Sequence, residues 1–411
     1  MSSPACFPAA ADPVSRRLQL AVFFLVAAGF TNIYLVQPVL PVLQAEFGAG
    51  ETRASLAVSA VILGIALANL PFGRLADRHP VQPLILAGGG VVALSGLLCA
   101  LAPALEILIG LRFLQGLFLP ALTTCIAADL ARRLPPARLN VILGSYVAAT
   151  VVGGLAGRLL GGWIHPPLHW RWGFVGSALL TALATLLALR VLPRESGRRR
   201  GEARDEPGIA NLLARRGIRR PIAAGFGAFF VFSALFNYLP FYLAGEPFRA
   251  SIGRITSLYL VYLLGVLIAP LSGKMSNRLG NGATMTAGAL LLALSLALTL
   301  VPFYTAVILG LCGACLGFFS VHAAAVGALN RRLAAGRGRA NALYVLGYYL
   351  GGTAGITLCG QAYQAAGWAG VCAVGAGMAL AILAIGIREL RRASAEGEMR
   401  MYEGESTPCS G

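Results

Sequence analysis

The chain has 411 residues, of which 57% are hydrophobic and 12% charged, with a mean hydropathy of +0.74. A soluble domain carries about a quarter charged residues, so an ordinary globular class is excluded. The net charge of +17 does not imply nucleic-acid binding. With the amino terminus inside, every basic residue except Arg53, Arg112, Arg158, Arg171, Arg249 and Arg254 falls on the cytoplasmic side, the asymmetry that orients membrane proteins.

In chain order, residues 1–17 read as a cytoplasmic N-terminal segment. Arg16-Arg17 precede an apolar run too long for a signal peptide, and the run closes on Gln37-Pro38 rather than a cleavage site, so it reads as an uncleaved first span. Apolar segments lie at 18–40, 53–72, 81–101, 105–128, 138–163 and 171–192, and again at 221–244, 254–273, 282–301, 304–328, 340–362 and 368–388. Each can cross a ~30 Å hydrocarbon core as a helix. No ten-residue alternation points to a barrel, which leaves helices as the only backbone that satisfies itself in lipid. The expected fold is an all-α membrane protein of twelve transmembrane helices in two six-helix bundles, 18–192 and 221–390. Residues 193–220 read as an Arg-rich cytoplasmic linker with a short amphipathic piece near 209–218. Residues 391–411, polar and rich in Gly, Ser and Glu, read as a disordered cytoplasmic tail.

The two bundles are tandem copies. Gly73-Arg74-Leu75-Ala76-Asp77-Arg78 returns as Gly273-Lys274-Met275-Ser276-Asn277-Arg278, 200 residues on, while Arg53 and Arg254, and Gly64 and Gly265, are 201 apart. A constant offset marks an internal repeat. Six crossings and a cytoplasmic linker keep the second copy in the same sense as the first, which gives parallel repeats about an axis along the membrane normal.

Polar residues inside apolar spans are the candidates for function. Arg112 lies about ten ångströms deep in the fourth segment, with Gln115 one turn on; an arginine there faces the protein interior or a watery cavity. Arg158, in segment 5, is a second basic group in the outer half of the membrane. Tyr34 with Gln37, Tyr146, Asn237 with Tyr238, Tyr259 with Tyr262, and Tyr344 with Tyr348 are candidates to line a substrate cavity. Such a cavity suits amphiphilic, neutral or anionic solutes better than cationic ones. No Asp or Glu lies near the middle of a span, so His322, the one intramembrane histidine, is the candidate proton carrier. Cys312-Gly-Ala-Cys315 sits in an apolar run and reads as close helix packing. Nothing in the sequence calls for a metal or a cofactor.

Residues 18–390 resemble the major facilitator superfamily. Gly73, Asp77 and Arg78 match its loop signature between helices 2 and 3, Gly-x-x-x-Asp-Arg-x-Gly-Arg-Arg, although Pro80, Val81 and Gln82 replace the later Gly and basic residues; Gly273 and Arg278 repeat the pattern. The resemblance implies a charged latch on the inner gate. Arg112, Gln115 and Gly116 are similar to its R-x-x-Q-G signature in helix 4, which implies anion binding or an influence on protonation. Gly144, Gly153, Gly157 and Gly161 have the spacing of the helix-5 signature of antiporter branches, with Arg158 where a proline usually stands. Together with Tyr34, Gln37 and Pro38, this region is similar to a bacterial subgroup of multidrug or arabinose-type efflux permeases. The implied function is secondary active transport: proton-coupled efflux of small organic molecules by alternating access. The alternative is uptake or exchange of an anionic or polar metabolite on the same scaffold. A remoter one is a non-transporting membrane sensor. An enzyme is not expected, because no nucleophile–base pair, metal-ligand cluster or phosphate loop is present. The expected setting is a monomer in the bacterial inner membrane, with both termini cytoplasmic and with small molecules, protons and lipid as its partners.

Overall fold

The computed structural model describes residues 13–192, 208–333 and 337–405, and every regular element among them is helical. Ten helical runs are long and apolar enough to cross a membrane. One of them, Gly338–Arg392, contains two crossings, because Ala366 and Gly367 leave helical geometry, Gly367 with φ +58°. A further crossing is built from shorter pieces: Ile252–Leu258, a 3-10 turn at Tyr259–Tyr262, and Leu263–Leu279. Counted this way, twelve spans follow one another.

Span 1 is Pro13–Tyr34, continued after a 3-10 turn at Gln37–Val39 by Leu40–Phe47. Pro38 and Pro41 lack the N–H that would bond the Tyr34 and Gln37 carbonyls, so the helix cannot run on unbroken. Spans 2 and 3 are Glu51–Arg78 and Val81–Ala100. Span 4 is Leu105–Leu122 followed by Thr124–Arg133, with Pro120 just before the break. Spans 5 and 6 are Pro136–Trp163 and Arg171–Val191. In the second half, span 7 is Arg216–Ala244 and span 8 the composite 252–279, while spans 9 and 10 are Asn281–Thr299 and Tyr304–Arg331. Spans 11 and 12 lie on either side of the break at Gly367.

Several sequence boundaries change. The polar stretches 73–78 and 273–278 are not loops but the last turns of spans 2 and 8. Nothing in Gly73–Arg78 stops a helix; the chain breaks only ahead of Pro80, which disfavours helical geometry in the residue before it. Gly280, with φ +87°, ends span 8. Of the expected linker, residues 193–207 lie outside the described residues, Ile209–Ala214 is a short helix, and 216–220 already belong to span 7. The tail was expected to be disordered from 391, but the helix runs on to Glu405. Residues 393–405 are mostly good helix formers (Ala, Glu, Met, Arg), which explains the continuation. Residues 406–411 lie outside the described residues.

Glycines set the closest helix approaches. Gly153, Gly157 and Gly161 share one face of span 5, and a Cβ on any of them would overlap the main chain of span 1 at Ala27, Thr31 and Leu35. The helix-5 series therefore joins spans 1 and 5 within the first bundle, as small-residue faces do in membranes. The fourth member, Gly144, has open space around it.

Candidate functional site

Two buried arginines dominate the first bundle, and they have different partners. Arg112 is 0% exposed. It donates from Nε to the Ala57 carbonyl (2.9 Å), from Nη1 to the Asn32 carbonyl (2.6 Å) and to Gln115 Oε1 (2.7 Å), and from Nη2 to the Ile33 carbonyl (2.7 Å). The Asn32 and Ile33 carbonyls need partners because the first helix of span 1 stops at Tyr34, orphaning its last turn. Gln115 extends the network, donating to the Val92 carbonyl at 3.2 Å. Spans 1 to 4 are thereby tied together. Arg112 and Gln115 thus form a brace whose donors go to main-chain carbonyls and, within the pair, to Gln115 itself.

Arg158 is equally buried, at 2% exposure, but it stands on the seam between the bundles. It donates from Nε to Gln37 Oε1 (2.7 Å), from Nη1 to the Gly154 carbonyl (2.7 Å) and from Nη2 to the Tyr262 hydroxyl of span 8 (2.9 Å). Its guanidinium lies 3.8 Å from the ring centre of Tyr34, 4.2 Å from that of Tyr262 and 5.3 Å from that of Tyr259. Three aromatic faces thus offset part of the desolvation of the cation. Three of a guanidinium's five N–H donors are used, and among the described residues no carboxylate pairs with it. The guanidinium therefore keeps two N–H donors without a protein partner, in the forked geometry that matches carboxylate and phosphate oxygens.

The second bundle supplies an aromatic wall to this cation. Pro240 cannot bond the Phe236 carbonyl in span 7, and the Tyr259 hydroxyl takes it at 3.0 Å. That bond positions Tyr259 and Tyr262 beneath Arg158. From Tyr262 the rings continue through Phe232 (5.2 Å) to Phe318 (3.9 Å, stacked) and then His322 (6.0 Å, stacked). Tyr348 stacks on Phe229 at 4.0 Å. His322 Nδ1 shares a 2.9 Å hydrogen bond with the Tyr344 hydroxyl. Phe229, Phe232 and Phe318 escaped the sequence reading, although the phenylalanines at 229, 232 and 236, spaced i, i+3, i+7, follow one helix face. Asn237 is 0% exposed and neither atom of its amide has a partner. Such orphans are rare in native interiors and mark a place where a ligand or water belongs.

The other candidates are arranged elsewhere. Tyr238 donates to the Ile356 carbonyl (2.8 Å) and stacks on Tyr363, on the outer side of spans 7 and 11. A Cβ on Gly360 would overlap the Tyr238 hydroxyl and meet Thr52 of the first bundle. Nearby, Gly162 of span 5 lies directly against the Thr256 side chain of span 8. Both contacts are extracytoplasmic by the charge rule, so the bundles are closed together at their outer ends. Tyr146 packs against the inner core of the first bundle. At the cytoplasmic end Asp77 pairs with Arg132 at 2.9 Å, an ion pair inside the first bundle that offsets the unfavourable position of an acid at a helix C-terminus. Arg78, Gly273 and Arg278 lie near the surface in the last turns of their helices. Among the described residues no group of His, Cys, Asp or Glu could hold a metal, and the described cysteines are free thiols.

Two six-span bundles closing around a buried polar site on their seam are the build of a multi-pass membrane transporter. The chain belongs to the Major Facilitator Superfamily, whose family model matches residues 22–251, and is accordingly a secondary transporter and not an enzyme. It is 28% identical over 395 residues to the inner membrane transport protein YnfM of Escherichia coli, covering 95% of each chain. It is 31% identical over 385 residues to a probable transporter of Streptomyces coelicolor, covering 88% of this chain and 85% of that one. Its fold is shared with a bacterial homologue of the human lysosomal transporter Spinster, at a TM-score of 0.74 and 15% identity, over 94% of this chain and 96% of that one.

Proposed function

We propose that the protein moves small amphiphilic organic anions across the membrane by alternating access, with Arg158 as the partner of the anionic group. The carrying observation is the guanidinium buried on the seam without a carboxylate, held between Tyr34 and Tyr262 from opposite bundles. A carboxylate or phosphate would accept its spare donors, and the neighbouring phenylalanines would cover the apolar part of the solute. Because the cage is made by both bundles, rocking them apart dismantles it, which ties release of the anion to the change of access.

For direction and coupling we carry forward export in exchange for protons, in the bacterial inner membrane. The helix-5 glycine series resembles antiporter branches, the relative YnfM is described as an inner membrane transport protein, and the His322–Tyr344 pair adjoins the aromatic wall. The expected cargo breadth, several unrelated organic molecules, fits a wall of rings that recognises by shape more than by hydrogen bonds. The test is counterflow in proteoliposomes over a panel of organic anions, neutral solutes and cations of matched size, with and without an imposed pH gradient. Movement of anions in preference to both other groups is expected. Equal movement of cations would refute the assignment of Arg158.

A further inference from the structure

A second cationic site lies far from Arg158, on the cytoplasmic face of the second bundle. Span 7 begins with Arg216, Arg219 and Arg220, and span 12 carries Arg388 at the same level. Between them opens a cavity of about 560 Å³ lined by these four arginines with Ala223 and Ile385. The acid at hand, Glu389, is buried and already held by Arg220 at 3.3 Å and by Arg332. Its charge is therefore spent inside the protein. Arg216, Arg219 and Arg388 are exposed and, among the described residues, take part in no hydrogen bond or ion pair.

We propose that this cavity binds the headgroup of an anionic phospholipid of the cytoplasmic leaflet. Ala223 stands one helical turn below Arg219, and Ile385 one turn below Arg388, so each arginine has an apolar neighbour on the bilayer side of its own helix face. Phosphate fits the forked donors above, while the acyl chains continue along the apolar floor. A free phosphate would use the arginines and leave that floor uncovered. Basic pockets between spans at the cytoplasmic surface hold anionic headgroups in this way. The occupied site would clamp span 7 to span 12, and span 7 also carries Phe232 and Phe236, the rings packed against Tyr262.

The test uses the full-length protein in mixed micelles doped with phosphatidylglycerol, cardiolipin or phosphatidylcholine, with lipid retention read by native mass spectrometry. Anionic lipid is expected to stay bound and phosphatidylcholine to exchange away. The double variant R219Q/R388Q should lower anionic-lipid affinity about 25-fold, from about fivefold per arginine, whereas R219K/R388K, which keeps the charge and loses the fork, should lower it less. The pair R16Q/R17Q, exposed on the same face of the first bundle, should change it little. Should R219Q/R388Q fail to fold, the exposed single variant R388Q still reads the about fivefold step. Equal losses from both glutamine pairs would reduce the site to diffuse attraction and overturn the proposal. Protection against thermal unfolding by inorganic phosphate equal to that by the lipids would overturn the lipid assignment.

Discussion

Arg112 and Arg158 are both buried and both lie in spans of the first bundle, yet their partners differ, and substituting Arg112 tests the separate roles proposed for them. In Arg112→Gln the carbonyls of Asn32, Ile33 and Ala57 lose their donor inside the protein. A buried polar group left unsatisfied costs about 1–3 kcal/mol. Taking the low end for each of the three carbonyls gives about 3 kcal/mol, and at about 2 °C per kcal/mol the melting temperature should fall by about 6 °C. Arg112→Lys should recover only part of this loss, because one ammonium cannot fork to carbonyls on two helices. The assay is thermal unfolding of the purified variants in one detergent, paired with anion binding to the folded fraction. The expected result is lowered stability with nearly unchanged affinity. Unchanged stability with lost anion binding would refute the reasoning and move the anion from Arg158 to Arg112.

Further predictions concern the gate and the coupling. Gly162→Val places a side chain into Thr256 of the opposite bundle; an overpacking cost of about 1–3 kcal/mol, felt only when the outer ends meet, shifts the population toward the outward-open state by roughly 5- to 150-fold. Spin-label distances across the outer ends should lengthen, and an unchanged distance distribution would remove this seam from the gate. His322→Gln should abolish the acceleration of flux by a pH gradient while leaving counterflow at equal pH largely intact, and a variant that keeps the acceleration would exclude His322 as the proton carrier. Asp77→Asn removes an exposed ion pair worth at most about 1 kcal/mol, so stability should hold while the rate of interconversion changes; a large drop in melting temperature would mean the pair is structural.

The architecture was legible because each crossing needs about twenty apolar residues, and runs of that length stand out in any sequence. What the runs do not encode is where a helix is interrupted from outside. The break in span 1 follows from Pro38 and Pro41, which the sequence shows, but the 3-10 turn at Tyr259–Tyr262 contains neither Gly nor Pro. It sits where Tyr259 reaches the Phe236 carbonyl and Tyr262 accepts from Arg158, partners about 20 and 100 residues away.

The site was legible as a set of residues and not as an arrangement. Tyr34, Gln37, Arg158, Tyr259 and Tyr262 each stand out as polar or aromatic groups in apolar runs, yet only the seam between bundles brings them together. Arg112 and Arg158 could not be told apart from sequence, because two of the carbonyls that consume Arg112 are freed by a helix end in another span. Phe229, Phe232 and Phe318 were missed for a different reason: a phenylalanine that faces lipid and one that lines a pathway look alike along the chain. The tail beyond 391 shows the converse error, where composition suggested disorder and local helix propensity carried the last helix on to Glu405.

The measurement that bears most directly on the central claim is equilibrium binding of an organic anion to the purified transporter and to Arg158→Gln, alongside a neutral analogue of the same size. Removing one partner of a buried charge pair costs about 2–5 kcal/mol, so the anion should bind at least roughly 30-fold more weakly to Arg158→Gln while the neutral analogue binds as before. An anion affinity untouched by the substitution, or an equal loss for both ligands, would contradict the account.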